Sequence, residues 1–275
     1  MNKLFELLPG VKLENAGVRR IRAGVPAPTT SGAMKTLGSF LLCAMFAVCP
    51  AVAAELTAVN LGSAAAFAVF GKAGVTNTGK TVITGDLGVW PIAGTAITGF
   101  LPMTPGGPGR VIGTIYTPTE VCSTSSCKTE TTTTACLAEA AMIIAYDDAK
   151  GRTGAYTNEN AADLGGRTLT PGLYRSATTI SITNKLYLSG KGVYIFQIGT
   201  GLKVNVGTEI ILENGATAAD IFWQVGTAAI LDSGVKFEGT ILAGSGITMG
   251  SGTTLNGRAL AQTDVTFIDD TVTLP

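Results

Sequence analysis

Along the last third of the chain, apolar and polar residues alternate in short runs that recur. Ile247-Thr248-Met249 and Val265-Thr266-Phe267 each hold a threonine between two apolar residues, 18 positions apart, and Leu242-Ala243 and Leu260-Ala261 keep the same interval. Alternation with period two buries every second side chain of a strand and leaves the others outside. Ile247/Met249 and Val265/Phe267 are therefore expected to point inward, with Thr248 and Thr266 facing out.

Three strand sets repeat in this way. The first is VYIFQIG (193–199), DIFWQVG (220–226), GTILAGS (239–245) and GRALAQT (257–263). The second is GLKVNVG (201–207), AAILDSG (228–234), GITMGSG (246–252) and DVTFIDD (264–270). EIILENG, VKFEGT, TTLNGR and TVTLP supply the third. Three strands per pass, glycine at the corners and passes of roughly 18 to 27 residues predict a parallel β-solenoid of triangular section. Earlier strings such as VTNTGKTVITGDLGVW and GTAITGF read as further short strands.

One stretch has a different period. TACLAEAAMIIAYDDAK, 134–150, is predicted to be a helix, with Leu137, Ala141, Ile144 and Asp148 at helical spacing, as are Met142 and Tyr146. In the first strand set the outward positions Gln224, Leu242 and Leu260 are largely apolar, and an apolar stripe on a solenoid wall must be covered. The helix is the available cover, so sets two and three are expected to face water.

Composition sharpens this picture. With 36 glycines, 39 threonines and only 14% charged residues, the chain suits turn-rich β structure. Residues 1–54 carry six Lys/Arg and two Asp/Glu, which leaves 13 basic and 17 acidic residues, about −4, for 55–275. An acidic body argues against nucleic acid and anionic membranes as partners. The chain has no histidine, which removes the commonest general base and the commonest transition-metal ligand. No carboxylate cluster marks a glycan-cleaving site, and Asp147-Asp148 and Asp269-Asp270 read as solvated helix-end and turn charges. No catalysis, cofactor or metal is expected.

The N-terminal segment reads as an export signal. Met34-Lys35 opens a basic region, Leu37 to Val48 is apolar but too short to span a membrane comfortably, and Pro50 to Ala54 offers small residues for cleavage. Residues 34–54 are thus expected to be a secretory signal peptide and 55–275 the exported body. Residues 1–33 are either an over-called start or an extended n-region. Cys49 suits a lipoprotein signal poorly, because Val48 before it is bulky. Cys43 and Cys49 would leave with the signal; Cys122, Cys127 and Cys136 remain as disulfide candidates, one of them free or paired between chains. Their spacing lacks the fourth ligand of a structural zinc site.

The strings NLGSAAAFAVFGKAGVTNTGKTVITGDLGV, TLTPGLY, VYIFQIG, DIFWQVG and TLNGRALAQT resemble the microbial ice-binding (antifreeze) family, over essentially all of 55–275. The resemblance implies a mainly β, right-handed parallel β-solenoid with a long helix alongside, in which N-terminal and C-terminal segments share one coil stack. It implies a secreted, monomeric protein whose partner is an ice crystal surface, with thermal hysteresis and inhibition of ice recrystallisation as its activities. The departure is Pro118–Ala135, within PTEVCSTSSCKTETTTTAC (118–136), expected to form a cap or surface loop. The alternative is a cell-surface adhesion or carbohydrate-binding solenoid.

Candidate ice-binding residues are Thr248 and Thr266 on set two and Thr254 and Asn256 on set three, with Thr76, Thr78, Thr81, Thr84 and Thr98 extending either array. Lys203 and Ile230 interrupt set two, whereas Lys236 and Glu238 put charge on set three. A charged group holds its own hydration, so set two is the expected ice face.

Overall fold

Parallel pairing organises the chain. The structure, a computed structural model, describes residues 56–122, 127–129, 134–158 and 163–275; the expectations for 1–54 lie outside the described residues. Strands stack, almost all in parallel, along three sides that correspond to the three sets read from the sequence. On the second side the order is Ile180–Ile182, Leu202–Val204, Ala229–Leu231, Ile247–Met249, Asp264–Phe267, Gly74–Asn77 and Ile97–Thr98. The order shows a discontinuity: the strand at 74–77 lies beside the strand at 264–267, with Thr76 opposite Thr266. The same junction occurs on the other two sides, where Phe70 faces Leu260 and Ile83 faces Val272. The first coil is therefore stacked on the last.

The third side holds Thr168–Leu169, Leu186–Ser189 and Ile210–Glu213, bridged from Glu209 to Lys236. It continues through the first halves of two long strands, Lys236–Ala243 and Thr254–Ala261, to Thr271–Thr273, Val82–Thr84, Gly109–Ile112 and Phe100–Leu101. The long strands bend around a corner at Gly239 and Gly257, and their second halves join the helix side. A Cβ on Gly257 would lie 1.9 Å from the Gly239 carbonyl oxygen, so only glycine permits this close passage.

Inside, alternate residues of all three sides close a single apolar column. Tyr174, Phe196 and Trp223 stack rung on rung, with ring centroids 5.1 and 3.8 Å apart, and Trp223 donates its indole N–H to the Glu238 carbonyl at 3.0 Å. The stack fills one end of the solenoid, and Ile241, Ala259 and Val69 continue the same inward row.

The helix, Thr134–Gly151, covers the first strand set as expected. Of the two rows read from the spacing, the one with Met142 and Tyr146 is buried and the one with Leu137 and Ile144 is not. Ala135, Ala138, Met142, Ala145, Tyr146 and Ala149 are buried, whereas Leu137 and Ile144 are 56% and 67% exposed. The reason is steric: Ile195, Phe222, Leu242, Leu260 and Phe70 stand out from the sheet and fill the interface, leaving room only for alanine on much of the facing helix. Lys72–Glu139 at 2.8 Å and the Gln197 amide, which donates to the carbonyls of Ala149, Lys150 and Arg152, fasten the helix at its two ends.

Two further expectations are corrected. Thr81, a candidate binding residue, is fully buried, and its hydroxyl accepts the Asp270 backbone N–H at 3.0 Å. Asp270 is likewise no solvated turn charge: it is 1% exposed and accepts from the backbone N–H groups of Thr253 and Ile268. It ties a corner of one coil to the next. In the 118–136 region, Glu120–Cys122 and Cys127–Thr129 form an antiparallel hairpin that extends the helix side, placing Cys122 opposite Cys127 in the backbone register. Cys136 is a free thiol.

Burial pushes the Asp270 carboxyl up to about 6, against the two N–H donors that favour its charge, and neighbouring Asp269 adds to the rise. A folded-state value above the unfolded one means that the contribution to stability is complete below about pH 4 and is lost as pH rises through about 6. Asp270→Asn is expected to remove that slope, worth on the order of 3 kcal/mol between pH 4 and pH 7. Parallel urea titrations of parent and variant at the two pH values check it.

Candidate functional site

The second side presents a column of outward residues that includes a continuous run of threonines. Its central outward position reads, rung by rung, Ser181, Lys203, Ile230, Thr248, Thr266, Thr76 and Thr98. Four consecutive rungs are threonine. Thr248, Thr76 and Thr98 are exposed and Thr266 half-buried. Parallel pairing holds neighbouring rungs about 4.8 Å apart, and the branched β-carbon restricts each χ1, so the methyl and hydroxyl recur at fixed positions.

A second column runs beside the first and was missed from the sequence. Three residues before each central position, at the corner with the helix side, stand Thr200, Thr227, Ser245, Thr263, Ala73 and Thr95. Backbone bonds stack this corner: Thr227 N–H to Thr200 C=O at 2.8 Å, Ser245 to Thr227 at 2.9 Å, Thr263 to Ser245 at 3.3 Å and Ala73 to Thr263 at 2.6 Å. Between the columns lie Gly201, Ala228, Gly246, Asp264, Gly74 and Ala96, all small but one. A recurring hydroxyl-x-x-Thr spacing, as in Ser245–Thr248, Thr263–Thr266 and Thr95–Thr98, was the available signal.

Charge lies beyond one end of the threonine column and enters the array at a single position, Asp264. Lys203 pairs with Asp232 where the threonine column has already given way to Ile230. Asp264, exposed, accepts from the Thr263 hydroxyl at 3.0 Å. The third side is more heavily charged. Glu209 pairs with Lys236 at 3.2 Å and Lys185 at 3.5 Å, and the Lys236 hydrogen bond and charge lower its carboxyl below the usual range. Glu238, raised by burial, accepts from Asn256 at 2.8 Å.

The remaining candidates divide between the sides. Thr254 and Asn256 lie on the third side, in register with Thr271 and Thr273, and Thr84 follows Thr273. Val82 and then Arg110 follow Thr271, and Ile112 follows Thr84, so hydroxyls persist there for only two rungs in each row. Thr78 is exposed at the corner that follows the second side. Among the described residues no group of three or more His, Cys, Asp or Glu could hold a metal ion.

Fold and surface together define a class: a helix-backed β-solenoid that displays a regular, flat hydroxyl grid on an uncovered wall. The family model described as Ice-binding-like matches residues 69–273, and the chain belongs to that family. An ice-binding protein of Flavobacterium frigoris is 41% identical over 223 residues, covering 80% of this chain and 78% of the relative. One from a Colwellia species is 34% identical, covering 82% and 87%. Among solved structures, a glycosylated ice-binding protein from an Arctic yeast superposes with a TM-score of 0.72 at 33% identity, covering 80% of this chain and 96% of that one. The ice-binding protein of the Antarctic ascomycete Antarctomyces psychrotrophicus gives 0.69 at 32%, covering 80% and 99%.

Proposed function

We propose that the protein is exported and adsorbs to ice through its second side, depressing the freezing point and slowing recrystallisation. The observation that carries this reading is the four-rung column Thr248, Thr266, Thr76 and Thr98, flanked on three of its rungs by the hydroxyls of Ser245, Thr263 and Thr95. Methyl groups hold nearby water in cage-like order while hydroxyls anchor it, and the layer merges with the lattice of ice. Each contact is weak. Because the grid is ordered before binding, many such contacts add with little entropic cost. Adsorbed molecules force the ice front to bulge between them, and the curvature opposes further growth.

The third side serves this purpose poorly. Its Lys185–Glu209–Lys236 cluster and the Glu238–Asn256 pair hold their own hydration in patterns unrelated to ice. The protein acts as a surface adsorbent with no catalytic step. Its relatives are named for binding ice, and no helix among the described residues is long and apolar enough to cross a membrane.

Thr266→Tyr and Thr76→Tyr, in the middle of the column, are each expected to cut thermal hysteresis several-fold while stability stays within about 0.5 kcal/mol, as for other surface substitutions. Thr254→Tyr on the third side should leave hysteresis near the parent value. Nanolitre osmometry with thermal melts checks all three, and the opposite pattern would move the ice face to the third side. Uptake of the parent protein into a slowly grown ice hemisphere tests adsorption itself.

Ile230→Thr would lengthen the column to five rungs. Its expected effect is higher thermal hysteresis than the parent at equal concentration, read in the same assay.

A further inference from the structure

The two outward columns of the second side are separated by a trough whose floor, along the threonine rungs, is Gly246, Asp264, Gly74 and Ala96. Small residues keep that floor below the hydroxyls on either side. Asp264 breaks the pattern on the second of the four rungs. It stands between Thr263 and Thr266 of its own strand, with a glycine on the rung to each side.

The carboxylate does not turn away from the wall. A Cβ on Gly246 would lie 3.1 Å from the Asp264 Oδ1 and 3.4 Å from its Cγ, so the carboxylate leans over the neighbouring rung, into space that a glycine leaves open. Its Oδ1 accepts the Thr263 hydroxyl at 3.0 Å. The residue is exposed, and among the described residues it takes part in no ion pair. A threonine hydroxyl both donates and accepts hydrogen bonds, as a water in ice must, whereas an ionised carboxylate only accepts. It turns the surrounding water toward itself. It also takes up the proton through which Thr263 would otherwise donate to the layer above the wall.

We propose that Asp264 limits the strength of the ice-binding surface: a single charge standing in the trough divides the ordered water layer between the Ser245–Thr248 rung and the rungs of Thr76 and Thr98. The inference rests on the second side being the ice face and adds to it the residue that sets how tightly the face holds. Elsewhere the same trough position is Gly201 or Ala228, so an alanine at 264 reproduces what neighbouring coils already carry. The strand Asp264–Phe267 pairs with Gly74–Asn77 through its backbone, and that ladder does not need the carboxylate.

The test is nanolitre osmometry of the purified protein and its Asp264→Ala and Asp264→Asn variants, run beside Thr266→Tyr. Asp264→Ala is expected to raise thermal hysteresis about twofold at equal concentration, because contacts on a pre-ordered grid add with little entropic cost. Asp264→Asn removes the charge but keeps the bulk, and is expected above the parent and no higher than Asp264→Ala. The melting curves of both should overlay that of the parent, so that a gain is read as adsorption and not as stability. Hysteresis at or below the parent value in either variant overturns the proposal. Thr266→Tyr separates that failure from failure of the face. Hysteresis lost in Thr266→Tyr with no gain in Asp264→Ala keeps the second side as the ice face and removes only the role of Asp264. Hysteresis retained in Thr266→Tyr removes the face, and the role of Asp264 falls with it.

Discussion

The parallel hydrogen-bond ladder between the first and last coils is the interaction on which the rest of the structure depends. Strands 67–71, 74–77 and 82–84 each pair with a C-terminal strand, at 259–261, 264–267 and 271–273. Without that junction the solenoid would be two short stacks, each with exposed edges. With it, one apolar interior runs unbroken from Leu164 to Val111, and the outward rows of both segments fall into line. The threonine column is the direct result: two of its members come from the C-terminal coils and two from the N-terminal ones. Corner contacts reinforce the junction, as where Thr81 accepts the Asp270 N–H and Asp269 accepts the Lys80 N–H at 2.6 Å.

Much of the fold was legible because a solenoid repeats a local rule. Period-two alternation in Ile247–Met249 or Leu202–Val204 gives burial directly, and the second strand set was found in its observed register. The junction was not legible in that way, since nothing local at Thr76 announces that Thr266 is its neighbour; only the likeness to a known family implied it. Of the two helix rows read from the spacing, Met142 and Tyr146 are buried but Leu137 and Ile144 are not, for a related reason. Leu137 and Ile144 carry the larger hydrophobicity, but the space above the sheet is set by Phe222, Leu242 and Phe70, and alanine is what fits it.

The site was half legible. Outward residues within strands follow from alternation, so Thr248, Thr266, Thr76 and Thr98 could be named. Corner residues lie outside any strand, and alternation says nothing of them. That is why Thr200, Thr227, Ser245 and Thr263 were missed, and why Thr81, a corner residue that turns inward, was wrongly taken as exposed. Asp270 failed likewise, because an Asp-Asp pair in a turn reads as solvated until the coil above it is known to supply the Thr253 N–H.

Charge placement separates the two uncovered walls more sharply than threonine content does. Both carry threonines on adjacent rungs: Thr254 and Thr271 on the third side, Thr248 and Thr266 on the second. On the third side Lys236 and Glu238 stand on the rung directly before Thr254 and Asn256, in register with them, and the Lys236–Glu209 ion pair fixes its water by charge rather than by spacing. On the second side the Lys203–Asp232 pair stands beyond Ile230, so the four-rung column is reached by ice before any such pair is met. A lattice match needs a run of equivalent positions, and the value of each further rung depends on the one beside it being uncharged and rigid. The length of the uninterrupted run, more than the number of hydroxyls, is therefore the quantity that distinguishes the walls.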